Sequence, residues 1–294
     1  MTETPHLLLV NPSAGGGRTQ KLIATAQAAL ADGGIDARLV LTEDVEHGRA
    51  EARAAAGRGE RIIVMSGDGL VGQVGGELAG TGAVMGVIPG GRGNDFARVM
   101  GIPDDVEEAA GIIAGGAIRR IDVGEANGAR FLCIASCGFD SDANRIANES
   151  RMRGPLVYTY AGIRALIGWK PAHFELHLDG EPLDVTGYTV AAANSKAYGG
   201  GMLLAPNAEL DDGLLDVVMT ADVSKLKFLS GLPSVFKGEH LEKPEVTVRR
   251  CRELRIAADR PFQVFGDGDP IADLPCLIRI LPAALDVIAP PVEL

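Results

Sequence analysis

The stretch VIPGGRGNDFARVMGIP, residues 87–103, decides how the first half of the chain is read. An apolar run stops at Pro89, glycines stand at 90, 91 and 93 around Arg92, and NDFAR opens a helical pattern. Glycine lets the backbone take positive φ and approach a ligand closely. At a strand-to-helix turn the freed N–H groups and the helix N-terminus attract an anion. The same junction occurs upstream in RIIVMSGDGLVGQVGGEL (residues 61–78) and in LLLVNPSAGGGR (residues 7–18). One such loop is ordinary turn chemistry; three in the first hundred residues point to a phosphate-binding edge.

Outward from these loops, short apolar runs alternate with helical patterns. HLLLV (6–10), DARLVL (36–41), RIIVM (61–65) and AVMGVI (83–88) read as strands, with Ala- and Arg-rich helical spacing between them. That alternation predicts a parallel sheet in an α/β domain, with ligands beyond the carboxyl ends of its strands. After about Ile121 the texture changes. DANRIANESRMRGPLVYTYAGIRALIGWKP reads as a helical hairpin broken at Gly154-Pro155. From His173 onward short alternating stretches recur between turn signals, which predicts an antiparallel sandwich or barrel.

The 294 residues, 46% hydrophobic, are ample for two domains, and a formal charge of −11 disfavours a nucleic-acid partner. No apolar run reaches the roughly 18 residues that span a bilayer. MTETPHLLLV lacks a basic flank, so no signal peptide is expected and a cytoplasmic protein is the default. Cys133, Cys137, Cys251 and Cys276 read as buried reduced thiols and not as a zinc set. HFELH would put His173, Glu175 and His177 on one strand face, where solvated alternation explains them as well as a metal does.

GGGRTQK does not supply a Walker A loop. Gly67-Asp68-Gly69-Leu70-Val71-Gly72 fits the dinucleotide fingerprint, but AVMGVIPGG offers no acid for a ribose, and Asp68 would repel a bare pyrophosphate. A carboxylate there makes sense if Mg²⁺ accompanies the phosphates, which favours a nucleoside triphosphate.

Six segments together resemble the diacylglycerol-kinase catalytic family, shared by bacterial lipid kinases, sphingosine kinases and ceramide kinases. They are NPSAGGGR (11–18), SGDGL (66–70), PGGRGNDFAR (89–98), GFDSDANRIANES (138–150), PNAELDDGLLDV (206–217) and GDGDP (266–270). The resemblance implies a nucleotide-binding α/β domain related to NAD kinases over residues 1–122, joined by the returning residues 282–294, and a lipid-binding β-sandwich over 123–281. It implies ATP and Mg²⁺ as donor and cofactor, and a lipid hydroxyl as acceptor. Asn11, Pro12, Gly15, Gly16, Gly17 and Arg18 resemble the first nucleotide loop, and Thr42 a further contact. Gly67, Asp68, Gly69 and Leu70 resemble the diphosphate and magnesium loop; Gly91, Arg92, Gly93, Asn94 and Asp95 resemble the second phosphate loop. LDDGL is similar to a magnesium site formed by the carbonyls of Leu210 and Leu214 and the side chain of Asp212, with an Asp-Gly hairpin as the plain alternative.

In-line phosphoryl transfer depends on positioning and cation clamping, with a base to accept the hydroxyl proton. Where the family has glutamate this chain has Asp269, and the missing methylene removes roughly 1.5 Å of reach, so Asp267, two residues earlier, is a candidate to share the catalytic role. Arg92 stands where a small hydroxyl residue is usual, and is expected to reach the phosphates. SGDGL follows the sphingosine-kinase version, so a sphingoid or ceramide-type acceptor is the alternative, as is an impaired nucleotide- and lipid-binding protein. The excess of Arg145, Arg151, Arg153, Arg164 and Lys170 over Glu149, beside PLVYTYAGIRALIGW, predicts peripheral contact with the inner membrane surface. The alternative there is a helix packed on the sandwich. Oligomeric state stays open, a homodimer included.

Overall fold

In the computed structural model, which describes residues 4–149 and 156–291, the apolar runs of the first half are strands, and those at 6–10, 61–66 and 84–89 are covered on both faces. β1 (His6–Val10), α1 (Ala14–Asp32), β2 (Ala37–Leu41), α2 (Val45–Gly57), β3 (Arg61–Ser66), α3 (Asp68–Leu78), β4 (Val84–Pro89), α4 (Asp95–Val99) and α5 (Val106–Gly115) follow in order. Leu7, Leu8, Leu9, Ile62, Ile63 and Val64 expose nothing, as strands inside a parallel sheet must. The strands lie in the order β2-β1-β3-β4, all parallel, so the three glycine junctions leave the sheet at the same edge. Local chemistry sets the helix ends. Asp44 caps α2 by accepting the His47 N–H at 2.8 Å, and Asp105 caps α5 by accepting those of Glu107 and Glu108. Gly116, at φ 66, closes α5.

The rest of the chain is β5 (Ile118–Ala126), β6 (Ala129–Phe131), β7 (Ile134–Gly138), α6 (Phe139–Glu149), α7 (Leu156–Gly168), β8 (Ala172–Leu178), β9 (Glu181–Ala193), β10 (Leu215–Ala221), α8 (Lys225–Val235), a 3-10 turn (Glu239–Glu242), β11 (Val246–Cys251), β12 (Glu253–Ala258), β13 (Gln263–Gly266), β14 (Asp269–Asp273) and β15 (Cys276–Ile288). The predicted break at Gly154-Pro155 lies outside the described residues, as do Arg151 and Arg153. Two compact units result: residues to Val123 with Tyr198–Gly200 and those from Leu281 onward, and Gly124–Ala197 with Gly201–Ile280.

In the first unit, the end of β15 runs parallel to β4, pairing Asp286 with Val84 and Val287 with Met85. In the second unit the strands are antiparallel, and this unit is the β-sandwich. The long β9 pairs β8 through its first half, and β7 and β10 through its second. Gly187 marks the bulge: a Cβ there would lie 2.1 Å from the Thr220 carbonyl oxygen, so no other residue fits. The core is aromatic. Trp169 packs on Phe139 edge-on at 5.6 Å and Tyr188 stacks on Phe228 at 4.1 Å. All four cysteines are free and buried, and burial pushes the Cys251 thiol up to about 12 and the Cys276 thiol to about 11. Thiols so held are inert.

Candidate active site

The three glycine loops touch one another, and their glycines are what allow it. A Cβ on Gly91 would lie 2.5 Å from Gly67 Cα, one on Gly15 would lie 2.6 Å from the Gly90 carbonyl oxygen, and one on Gly90 would meet the Thr19 hydroxyl at 2.6 Å. Residues 15–17 turn left-handed at φ 60, 71 and 88 before α1 proper begins. Thr19, which the sequence reading passed over, is the clasp. Its buried hydroxyl bonds to the carbonyls of Ala14 and Gly90, both at 3.1 Å. These glycines therefore serve loop packing, and a phosphate cradle is what the packed loops can form.

A prediction separates these glycines from ordinary ones. Gly91→Ala is expected to lose about 1–3 kcal/mol in chemical denaturation, because both clashing groups are fixed. Gly111→Ala, in the α5 interior with nothing within 4 Å of the added methyl, is expected to gain about 0.5–1 kcal/mol. Equal effects at the two positions would refute the packing argument.

Asp68 opens α3, and its Oδ1 accepts the Phe96 N–H at 3.1 Å, so it caps the short α4 across the loops. Burial raises its carboxyl above the ordinary aspartate range; the α4 N–H groups oppose this and the Asp95 charge adds to it. The other oxygen faces Gly93, where a Cβ would come within 2.9 Å, so the glycine keeps that side open. Arg92 is exposed, and its guanidinium reaches the first loop, 3.4 Å from where a Cβ on Gly16 would stand. Arg18 is exposed at the start of the same helix. Neither arginine has a carboxylate partner among the described residues, so the loops present cations to solvent.

Other expected contacts are directed inward. Asn94, at φ 50, accepts the Gly91 N–H at 2.8 Å and donates to Asp104 at 2.8 Å, which pins the loop. Asp95 is buried; it pairs with Arg98 at 2.6 Å and accepts the Gly200 N–H at 2.6 Å. Leu70 is buried, one of its methyls 2.7 Å from where a Cβ on Gly48 would stand, beside a Thr42 methyl at 3.3 Å. The Leu70 side chain thus fills the packing of α3 on α2. Asn11 bonds its side chain to the Ser13 N–H at 3.0 Å, and Pro12 and Gly69 lie at loop positions beside it and at the start of α3.

In the second unit, GDGDP is the β13–β14 hairpin. Asp267 and Gly268 turn it with φ 52 and 96, both left-handed, as a two-residue turn requires. The Asp267 carboxylate accepts the N–H groups of Leu132, Cys133 and Ile134 at 2.7, 2.9 and 3.1 Å. It is an anchor for the turn before β7. Asp269 follows at the start of β14, exposed.

At LDDGL, which leads into β10 and is no hairpin, Asp212 accepts the Leu214 N–H at 2.9 Å through Oδ1. Its Oδ2 accepts the Arg250 guanidinium, which also lies 3.6 Å from Asp216. Both carboxylate oxygens are occupied, and a guanidinium supplies the positive charge that the resemblance assigns to a metal. These residues as disposed do not fit a bound magnesium. The thermal midpoint of the parent is expected to be unmoved by EDTA, whereas Arg250→Ala should lose about 1 kcal/mol and regain part of it with added Mg²⁺. His173, Glu175 and His177 lie on the outer face of β8, and no cluster of three metal-ligating side chains occurs among the described residues.

In the GFDSDANR segment, Asp140 Oδ2 is sealed from solvent with no hydrogen-bond partner among the described residues. Burial raises its carboxyl, bonds from Ser136 and Ser141 opposing. A raised carboxyl binds its proton more tightly folded than unfolded, so stability falls as pH rises from the ordinary aspartate range through the folded value. Asp140→Asn removes that fall. Its thermal midpoint relative to the parent is expected to climb as pH rises above the ordinary aspartate range; a flat difference would count against it. Ala165 and Leu166 of α7, with Trp169 just beyond its end, are buried in the sandwich core, Ala161 packs with Ile146 of α6, and Arg145 lies 3.6 Å from Asp142.

Residues 5–126 match the diacylglycerol kinase catalytic domain, and residues 133–289 match the YegS C-terminal NAD kinase beta sandwich-like domain. A Mycobacterium tuberculosis protein named diacylglycerol kinase is 37% identical over 291 residues, 96% of this chain and 94% of its own. A Bacillus subtilis protein of the same name is 28% identical over 272 residues, 89% and 88% of the two chains. A crystal structure from Bacillus anthracis superposes with a TM-score of 0.82 at 25% identity, covering 99% of both chains. No helix among the described residues is long and apolar enough to cross a membrane.

Proposed function

Since the chain belongs to the diacylglycerol kinase family and is a lipid kinase, we propose that it transfers the γ-phosphoryl group of ATP to the hydroxyl of diacylglycerol. The observation that carries the donor side is the meeting of the three glycine loops under Arg92, with the open oxygen of Asp68 beside Gly93. Backbone amides and Arg92 and Arg18 would meet the phosphates, and Asp68 would hold the Mg²⁺ that arrives with them. Magnesium, when bound, offsets charge on the transferring phosphoryl group. The chain's own part is positioning. Asn94 and Thr19 keep the loops joined, and Gly93 leaves the space free. Asp269 is the proposed acceptor of the hydroxyl proton, since Asp267 is committed to three N–H groups.

The test is transfer of label from radiolabelled ATP to diacylglycerol, sphingosine and ceramide, each in mixed micelles with Mg²⁺. Label is expected on diacylglycerol. Label on ceramide or sphingosine instead would replace the acceptor, and ATP binding with no labelled lipid would make the chain a binding protein.

A further inference from the structure

α8 is anchored by one side only. Phe228 enters the aromatic core against Tyr188 at 4.1 Å, Ser224 caps the helix by accepting the Lys227 N–H, and Val235 accepts the Leu203 N–H at 3.0 Å. No described residue covers the other side. Leu226 is 79% exposed and Phe236, at the C-cap, 54%; Leu229, Leu232 and Pro233 are exposed between them. The spacing 226, 229, 233, 236 makes this one apolar stripe on a single helical face. Lys225 donates to the Ile167 carbonyl at 2.8 Å, which brings the end of α7 alongside, and Ile167 is itself 76% exposed. A contiguous apolar patch of this size on a soluble surface marks an interaction site.

We propose that this face of α8, with Ile167, docks the protein on a bilayer containing anionic lipid, the apolar stripe entering the headgroup layer. Charge selects the occupant. Residues 223–238 carry Lys225, Lys227 and Lys237 and no acid, on a chain whose formal charge is −11. Asp222 precedes the helix and Glu239 and Glu242 follow it, and a further acid, Glu245, already pairs with Lys227 at 3.0 Å. Lysines at the edge of an apolar stripe are what an interfacial helix needs: the stems lie on the hydrocarbon boundary and the ammonium groups meet phosphate. A second copy of this chain would bring lysine against lysine. The choice of a bilayer rests on the lipid-kinase reading, because the acceptor is delivered from one.

The experiment is flotation of the full chain, without ATP, on phosphatidylcholine vesicles with and without phosphatidylglycerol. The parent is expected to float with the anionic vesicles. Leu226→Ser with Phe236→Ser should lower the partition coefficient at least about tenfold, with the thermal midpoint and its shift by Mg-ATP unchanged. Failure of the parent to float, or unchanged flotation of the double variant, overturns the proposal. So does sedimentation velocity showing a dimer that the double variant breaks, with no vesicle binding. A parent that floats through α8 but labels no lipid would leave the docking face standing and remove the kinase assignment.

Discussion

Asp68→Asn is expected to fold like the parent and to lose phosphoryl transfer by about a hundred- to a thousandfold. The substitution keeps the oxygen that accepts the Phe96 N–H, so the cap on α4 survives. It removes the charge beside Gly93, which is the one a nucleotide-borne cation would need. Asp68→Ala should lose the same activity and also about 1–3 kcal/mol of stability, since a buried N–H is left without its acceptor. The split between the two variants is the informative result. Full activity in Asp68→Asn would reduce the residue to a cap. The parent should also show an acid limb: the raised carboxyl is protonated, and its charge lost, at a higher pH than an ordinary aspartate. The apparent magnesium affinity would then weaken as pH falls through that value, and Asp68→Asn would lack the limb.

The fold of the first half was legible because its strands are both-faced runs bounded by glycines, and no other structure accommodates HLLLV and RIIVM between helical patterns. β8 was equally clear, its burial alternating along AHFELHL. α8 was not read. Its apolar residues face two ways, Phe228 into the core and Leu226 and Phe236 out, so the sequence shows no polar face opposite the stripe, and a proline stands at 233 besides. β6 and β7 were missed as well, since β7 is buried throughout and IASCG carries no alternation.

At the proposed site, the sequence marked the three loops that pack together but could not say which way each polar group faces. Asn94, Asp95 and Asp267 stand in conspicuous motifs because the backbone needs them: Asn94 and Asp267 tolerate positive φ, and Asp95 accepts an N–H from residue 200, distant in sequence. Thr19 and Arg250 had no signal of their own, being an ordinary threonine in a helix and one of two adjacent arginines in a strand. Their partners, Gly90 and Asp212, lie far along the chain, and only pairing in space identifies them.

Asp269→Ala is expected to lower transfer by about 10²–10⁴-fold while leaving the thermal midpoint nearly unchanged. Asp269 is exposed at the first position of β14, whereas Asp267 carries three N–H bonds two residues earlier. The proposed function would thus give chemistry to Asp269, while Asp267 serves the architecture. Asp267→Ala should do the converse, losing about 2–4 kcal/mol of stability as the turn at residues 132–134 loses its acceptors. Reach is the second half of the argument. A carboxylate displaced by about 1 Å from the reacting hydroxyl can lose of order a hundredfold, so Asp269→Glu asks whether the hairpin has adjusted to the shorter side chain. A rise in turnover, with the lipid KM unchanged, means that the aspartate limits the rate. A fall means that the backbone around Gly268 already brings Asp269 to its place, and the extra methylene overshoots. Asp269→Ala with full turnover would remove the residue from the reaction altogether, and the proton would have to leave by way of the phosphoryl group itself.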